Sequence, residues 1–145
     1  MVSILRVVVF DIDGTLLDSR LAIYLQISDW FKARSLQPPT YQQVMKKVHG
    51  TDLRGMLTDL LPQSHTDPQL VEFYALQIDN SYTSCYLPRY ATLIDGAIEC
   101  LLSLKKSGYK VAFVTNASRL MMNWFLQMSG LYGIAEVAIS ADDVS

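Results

Sequence analysis

Cysteine is scarce in this chain: two in 145 residues, Cys85 and Cys100. They have neither metal-ligand spacing nor a pairing pattern, so nothing points to a zinc site or a disulfide framework. Their apolar surroundings predict buried, reduced thiols, as suits a cytoplasmic protein. Clustered positive charge is missing as well. Twelve basic residues face fourteen acidic ones, for a net charge of −2. The tight basic clusters are the pairs Lys46-Lys47 and Lys105-Lys106, ordinary for solvated helix faces, so neither nucleic acid nor an anionic membrane is an expected partner. No stretch approaches the eighteen or so apolar residues that a membrane span needs. The N-terminal apolar run is broken by Arg6 and closed by Asp11, too short and wrongly flanked for a signal peptide. Repeats and low-complexity tracts are absent too.

What is present is the balance of a globular domain, with 50% hydrophobic and 18% charged residues. Ile4 to Phe10 is a continuous β-branched run that predicts a strand buried on both faces of a parallel sheet. It ends at Asp11-Ile12-Asp13-Gly14. Helical spacing follows from Ser19 to about Ser35, stopped by Pro38-Pro39. Thr40 and Gln43 form a capping box for a helix toward Val48. Thr51 or Asp52 caps the next helix, and Asp67-Pro68 opens a third with proline at its first position. Residues 18–92 therefore read as a helical bundle.

Beyond Pro88 the texture changes. A helix from Asp95-Gly96 carries Ile98, Leu101, Leu102 and Leu104 on one face and closes at Lys105-Lys106 and Gly108. Tyr109 to Val114 reads as a second buried strand, 118–129 as a helix ending at Gly130, and Ala135 to Ser140 as a third strand. Alternating strands and helices predict a parallel sheet with right-handed crossovers. The fold class is α/β: a Rossmann-like parallel core from 1–17 and 93–145, interrupted by a helical cap at 18–92.

The chemistry concentrates at Asp11 and Asp13. Ligands of α/β sheets bind beyond the carboxyl ends of the strands. Two residues apart on an extended chain, both side chains point the same way. Two carboxylates that close repel, so a proton or a cation between them has to offset the repulsion. Magnesium suits the pair, because it accepts one or two carboxylates and keeps water and phosphate in its other positions. Asp11 could then attack phosphorus as a nucleophile, and Asp13 could move the protons. The plain alternative is a strand-ending turn, where Asp and Gly are common.

Phe10-Asp11-Ile12-Asp13-Gly14-Thr15-Leu16-Leu17-Asp18-Ser19 resembles the first motif of the haloacid dehalogenase superfamily. Val114-Thr115-Asn116-Ala117-Ser118 is similar to its second motif. The helical insert resembles the cap of the subfamily holding phosphoglycolate phosphatases and β-phosphoglucomutases. The resemblance implies a magnesium-dependent phosphatase acting on a small phosphorylated metabolite, phosphoglycolate-like or a sugar phosphate. Asp11 would be nucleophile and metal ligand. Asp13 would be general acid and base, with its backbone carbonyl on the metal. Gly14, Thr15, Thr115 and Asn116 would hold the phosphoryl group. Dehalogenases of the superfamily lack the second acid, so Asp13 argues against dehalogenation. His49, with Gly50, falls where related caps place a specificity loop, and reads equally well as a helix-end histidine. Arg20 and Arg119 read as surface arginines rather than phosphate ligands. Trp30, Trp124 and Met121-Met122 read as packing.

The family's lysine and second acidic motif follow the stretch that Ile139 to Val144 resembles. Asp142 and Asp143 read as part of that loop, not as metal ligands. A chain ending here is expected to be an incomplete copy with its first strand as a bare sheet edge, open to self-association, and with weak or no turnover. Two other readings are a phosphomutase and a non-catalytic binding remnant.

Overall fold

The structure is a computed structural model and describes residues 5–48 and 51–144. His49 and Gly50 lie outside the described residues. The chain divides into two compact units, one of residues 1–18 with 92–145 and one of residues 19–91.

The first unit is a three-stranded parallel sheet. Its strands are β1 (Val7–Phe10), β4 (Lys110–Val114) and β5 (Val137–Ile139), in the order β1-β4-β5. Val8 pairs with Val111 and Phe10 with Phe113, so these four side chains share a face. Each connection advances one strand in the same direction. Right-handed crossovers of that kind put both intervening helices, α6 (Ala97–Lys106) and α7 (Arg119–Ser129), over a single face. The packing agrees: Val111, Phe113, Leu101, Met121, Met122 and Phe125 are all buried. Phe113 meets Phe125 edge-to-face, with ring centroids 6.0 Å apart.

The other face corrects the expectation of strands buried on both sides. Val7 is 50% and Val9 60% exposed, and Val114 and Val137 are also open on that face. The sequence carries enough apolar residues for two faces, but the described helices cover one. Among the described residues β1 is an edge strand.

Two further corrections concern α6. Leu102 is exposed, because the helix buries the narrower stripe of Ala97 and Leu101, with Leu104 partly covered. Cys100 flanks that stripe and is exposed, as is Cys85, so neither thiol is buried as expected. A small antiparallel pair, β2 (Leu17–Asp18) with β3 (Thr92–Leu93), closes the base of the insert. Two-residue strands have no periodicity to read, so positions 18 and 92 are strand residues where the sequence predicts helical territory.

The second unit is helical: α1 (Arg20–Lys32), α2 (Tyr41–Val48), α3 (Leu53–Leu60), α4 (Pro68–Ser81) and α5 (Leu87–Tyr90). The caps are those the sequence spells. Thr40 and Gln43 exchange both bonds of the capping box, at 2.8 and 3.3 Å. Asp52 accepts from Gly55 N–H at 2.8 Å, and Asp67 accepts from Gln69 N–H at 2.9 Å ahead of Pro68. A π-helical turn at Tyr82–Tyr86 joins α4 to α5. The core contains Ile27, Trp30, Phe31, Val44, Leu57, Val71 and Ile78. Arg34 stacks on Trp30, its guanidinium carbon 3.8 Å from the ring centroid.

Arg54 and Glu72 tie α3 to α4. Arg54 Nη2 donates to Glu72 Oε1 at 2.7 Å, and Nε makes a second bond to Oε2. Donation from Arg54 holds the Glu72 carboxyl below the usual carboxylate range. Such a carboxylate binds fewer protons folded than unfolded. It adds stability above its unfolded pKa and loses that stability as pH falls through the lowered folded value. Urea titrations of the helical unit, followed by Trp30 fluorescence from pH 7 to pH 3, should therefore fall less steeply with acid in Glu72→Gln than in the parent. Parallel acid limbs would show that this pair contributes nothing.

Candidate active site

The site lies where β1 and β4 end side by side. Asp11 directly follows the last residue of β1, and Thr115 the last residue of β4. In parallel register Phe10 sits beside Phe113, so continuing the pairing brings Asp11 beside Val114 and next to Thr115. Ile12 is fully buried, and alternation turns Asp11 and Asp13 away from the core. Asp11 is exposed and Asp13 half-buried.

The loop after β1 is wound around one carbonyl. Ile12 O accepts from the N–H groups of Thr15, Leu16 and Leu17 at 3.2, 2.9 and 3.0 Å. Gly14 N–H donates to Leu17 O at 2.8 Å, and Asp13 forms a bridge with Leu17. Gly14 has φ +75°, a conformation that costs an L side chain roughly 1–2 kcal/mol, so glycine suits this turn. The turn leaves Gly14 and Thr15 exposed beside the two carboxylates.

Thr115 is 5% exposed. Its N–H donates to Ile139 O at 2.9 Å, so the backbone donor is spent on β5. Its hydroxyl oxygen accepts from Ala117 N–H at 3.1 Å. With that lone pair engaged, the hydroxyl hydrogen is left to donate elsewhere. Asn116 is exposed at the loop tip. Ser118 then caps α7, accepting from Met121 N–H at 3.3 Å.

The sequence profile of the haloacid dehalogenase-like hydrolases matches residues 8–145. The chain belongs to that family. It is 26% identical over 140 residues to a phosphoglycolate phosphatase of Aquifex aeolicus, covering 95% of this chain and 62% of that enzyme. Hexitol phosphatase A of Escherichia coli is 29% identical over 136 residues, which cover 93% of this chain and 59% of that enzyme. A haloacid dehalogenase-like structure from Bacteroides fragilis superposes with a TM-score of 0.84 at 20% identity, over 97% of this chain and 65% of that one. The fold is thus the Rossmann-like one of this family, and the chain spans less than two thirds of the length of these relatives.

Within the haloacid dehalogenase-like core, then, Asp11, Asp13, Gly14, Thr15, Thr115 and Asn116 gather at the carboxyl ends of two adjacent strands. Arg20 begins α1 in the helical unit and is exposed. Arg119 is a surface residue by sequence. It is half-exposed, and its guanidinium is paired with the Asp143 carboxylate. The sequence undervalued Asp142 and Asp143, which bond back to the start of α7. The signal was there in Ser140-x-x-Asp143, a capping-box pattern whose two bonds the structure makes. Among the described residues no group of three or more His, Cys, Asp or Glu could hold a metal by itself. The oxygen donors of Asp11 and Asp13 nonetheless suit a hard cation that keeps several waters and a substrate phosphate as ligands.

Proposed function

We propose that this chain carries the nucleophile and the proton-transfer group of a magnesium-dependent phosphoric monoester hydrolase, acting through an aspartyl-phosphate. The observation that supports it most is that a pair of carboxylates ends β1 and a buried hydroxyl ends the neighbouring parallel strand β4, in a member of this family.

In the first step an Asp11 oxygen forms a bond to phosphorus as the bond to the ester oxygen breaks. The Asp13 carboxyl gives its proton to that departing oxygen. In the second step the Asp13 carboxylate takes a proton from water, whose oxygen attacks phosphorus. The P–O bond to Asp11 breaks, releasing inorganic phosphate and restoring the carboxylate. Thr115 donates its hydroxyl hydrogen to a phosphoryl oxygen, and the Asn116 amide lies beside it. Magnesium held by Asp11 and by the backbone carbonyl of Asp13 would offset the negative charge gathered there. Phosphoglycolate and sugar phosphates are the substrate class we favour, since relatives along nearly the whole chain are a phosphoglycolate phosphatase and a hexitol phosphatase.

Beryllofluoride, which mimics a phosphoryl group on carboxylate, is the direct test. With magnesium present, fluorine NMR should show a bound species that chelation with EDTA removes, and a crystal should show it on Asp11. Binding elsewhere, or none in a version extended to the length of the relatives, would overturn the assignment.

A further inference from the structure

Between β5 and the phosphate-facing loop runs a polar clasp that the proposed chemistry does not use. Ser140, 1% exposed, donates through both its N–H and its hydroxyl to Asp143 Oδ2, at 2.7 and 2.8 Å. The other oxygen of the same carboxylate is paired with Arg119 Nη2. Asp142 Oδ2 accepts from Arg119 N–H, the first residue of α7, at 2.6 Å. Ala141 N–H donates to Ala117 O at 3.0 Å. The 140–143 turn thus holds Ala117 and Arg119 at successive points, and Thr115 and Asn116 are the residues just before them.

Two features set this apart from incidental surface pairing. The Asp143 carboxylate has both oxygens committed, to a buried serine on one side and a guanidinium on the other. Asp142 occupies the place of an N-cap acceptor although it comes from another loop, adding to the cap that Ser118 already provides. The same bonds direct Arg119, the cation nearest in sequence to Thr115 and Asn116, toward Asp143.

We infer that Asp143 and Asp142 are positioning residues. They fix the Thr115-Asn116 loop for phosphoryl binding by clasping the start of α7, and Arg119 acts through Asp143 rather than by touching the phosphoryl group. The inference rests on the phosphoryl-binding reading of Thr115 and Asn116.

A double-mutant cycle on the full chain decides it, with beryllofluoride and magnesium as the probe. Asp143→Asn keeps an acceptor for Ser140 but turns an amide toward Arg119, and Arg119→Met keeps the stem without the charge. If the two act as one unit, each substitution weakens beryllofluoride binding about tenfold and the double variant no more than either. Amide exchange at Ala117, whose N–H bonds to Thr115, should rise by a similar factor in each without ligand. The parent should keep slow exchange there. If Arg119→Met weakens binding far more than Asp143→Asn, the arginine touches the phosphoryl group and the inference fails. Unchanged binding in both variants also overturns it, even if urea midpoints fall. A parent that binds no beryllofluoride overturns the phosphoryl-binding reading itself, and the positioning role with it. That outcome is distinct from a parent that binds and variants that bind equally well.

Discussion

In a version extended to the length of the relatives, replacing Asp11, the proposed nucleophile, with asparagine is expected to lower phosphoryl transfer by roughly four to six orders of magnitude, the loss seen when a nucleophile is removed from a unit of acting groups. Asparagine has nearly the same shape, and residue 11 is exposed beyond the end of β1, so the fold should be unaffected. The loss would be chemical: an amide oxygen is a poor nucleophile and cannot be released again as a carboxylate. Asp13→Asn should behave differently. Removing a positioned proton donor costs about two to four orders of magnitude. Attack by Asp11 on a substrate with a good leaving group, such as a nitrophenyl ester, needs little protonation, so that substrate should lose least. The covalent adduct should also survive in Asp13→Asn, where its hydrolysis is slowed. Mass spectrometry of acid-quenched protein, alongside phosphate release, separates the two variants. Equal adduct in parent and Asp11→Asn would dismiss the proposed nucleophile.

Phe113→Ala should have the largest structural effect. Phe113 is fully buried on β4, the middle strand of the sheet, packed edge-to-face on Phe125 and in register beside Phe10. Removing such a ring from a core costs about 3–5 kcal/mol, against roughly 5–15 kcal/mol for a whole domain. The loss should be severe here, because the opposite face of the sheet already leaves Val7 and Val9 in water. Phe113 also lies two residues before Thr115, so loosening β4 should disturb the proposed phosphoryl site. The two tryptophans separate the effects. Trp124 on α7 belongs to the sheet unit and Trp30 to the helical one. Urea unfolding read at Trp124 should shift strongly while the Trp30 transition stays near its parent position. Phe113→Leu, which refills part of the volume, should cost roughly 1–2 kcal/mol and allow measurement if the alanine variant does not fold. A Trp124 transition unchanged in both variants would mean that this core does not limit the stability of the unit.

Much of this molecule was legible because its signals are local. The capping box at Thr40, the Asp67-Pro68 helix start and the glycine stop at Gly130 depend on bonds within four residues, and each is where the sequence spells it. The same holds for Asp11-x-Asp13-Gly14: a β-branched run with one covered face, alternation about Ile12 and a left-handed glycine together turn the two carboxylates away from the core. Where the reading failed, distance along the chain was the cause. The pairing of Leu17–Asp18 with Thr92–Leu93 joins segments some seventy residues apart and has no period of its own. The link from Asp143 to Arg119 crosses twenty-four positions and a whole helix.

By itself, then, the sequence determined the order of the three parallel strands and the longer helices, the caps that start several of those helices, and the residues standing at the tips of the first two parallel strands, because side-chain alternation and backbone capping act over a few residues. The tertiary structure alone decided which face of the sheet is covered, that Cys85 and Cys100 are exposed, and that Arg119 turns to Asp143. Burial and ion pairing depend on what arrives from elsewhere in the chain, and an apolar valine reads the same whether a helix or water lies over it.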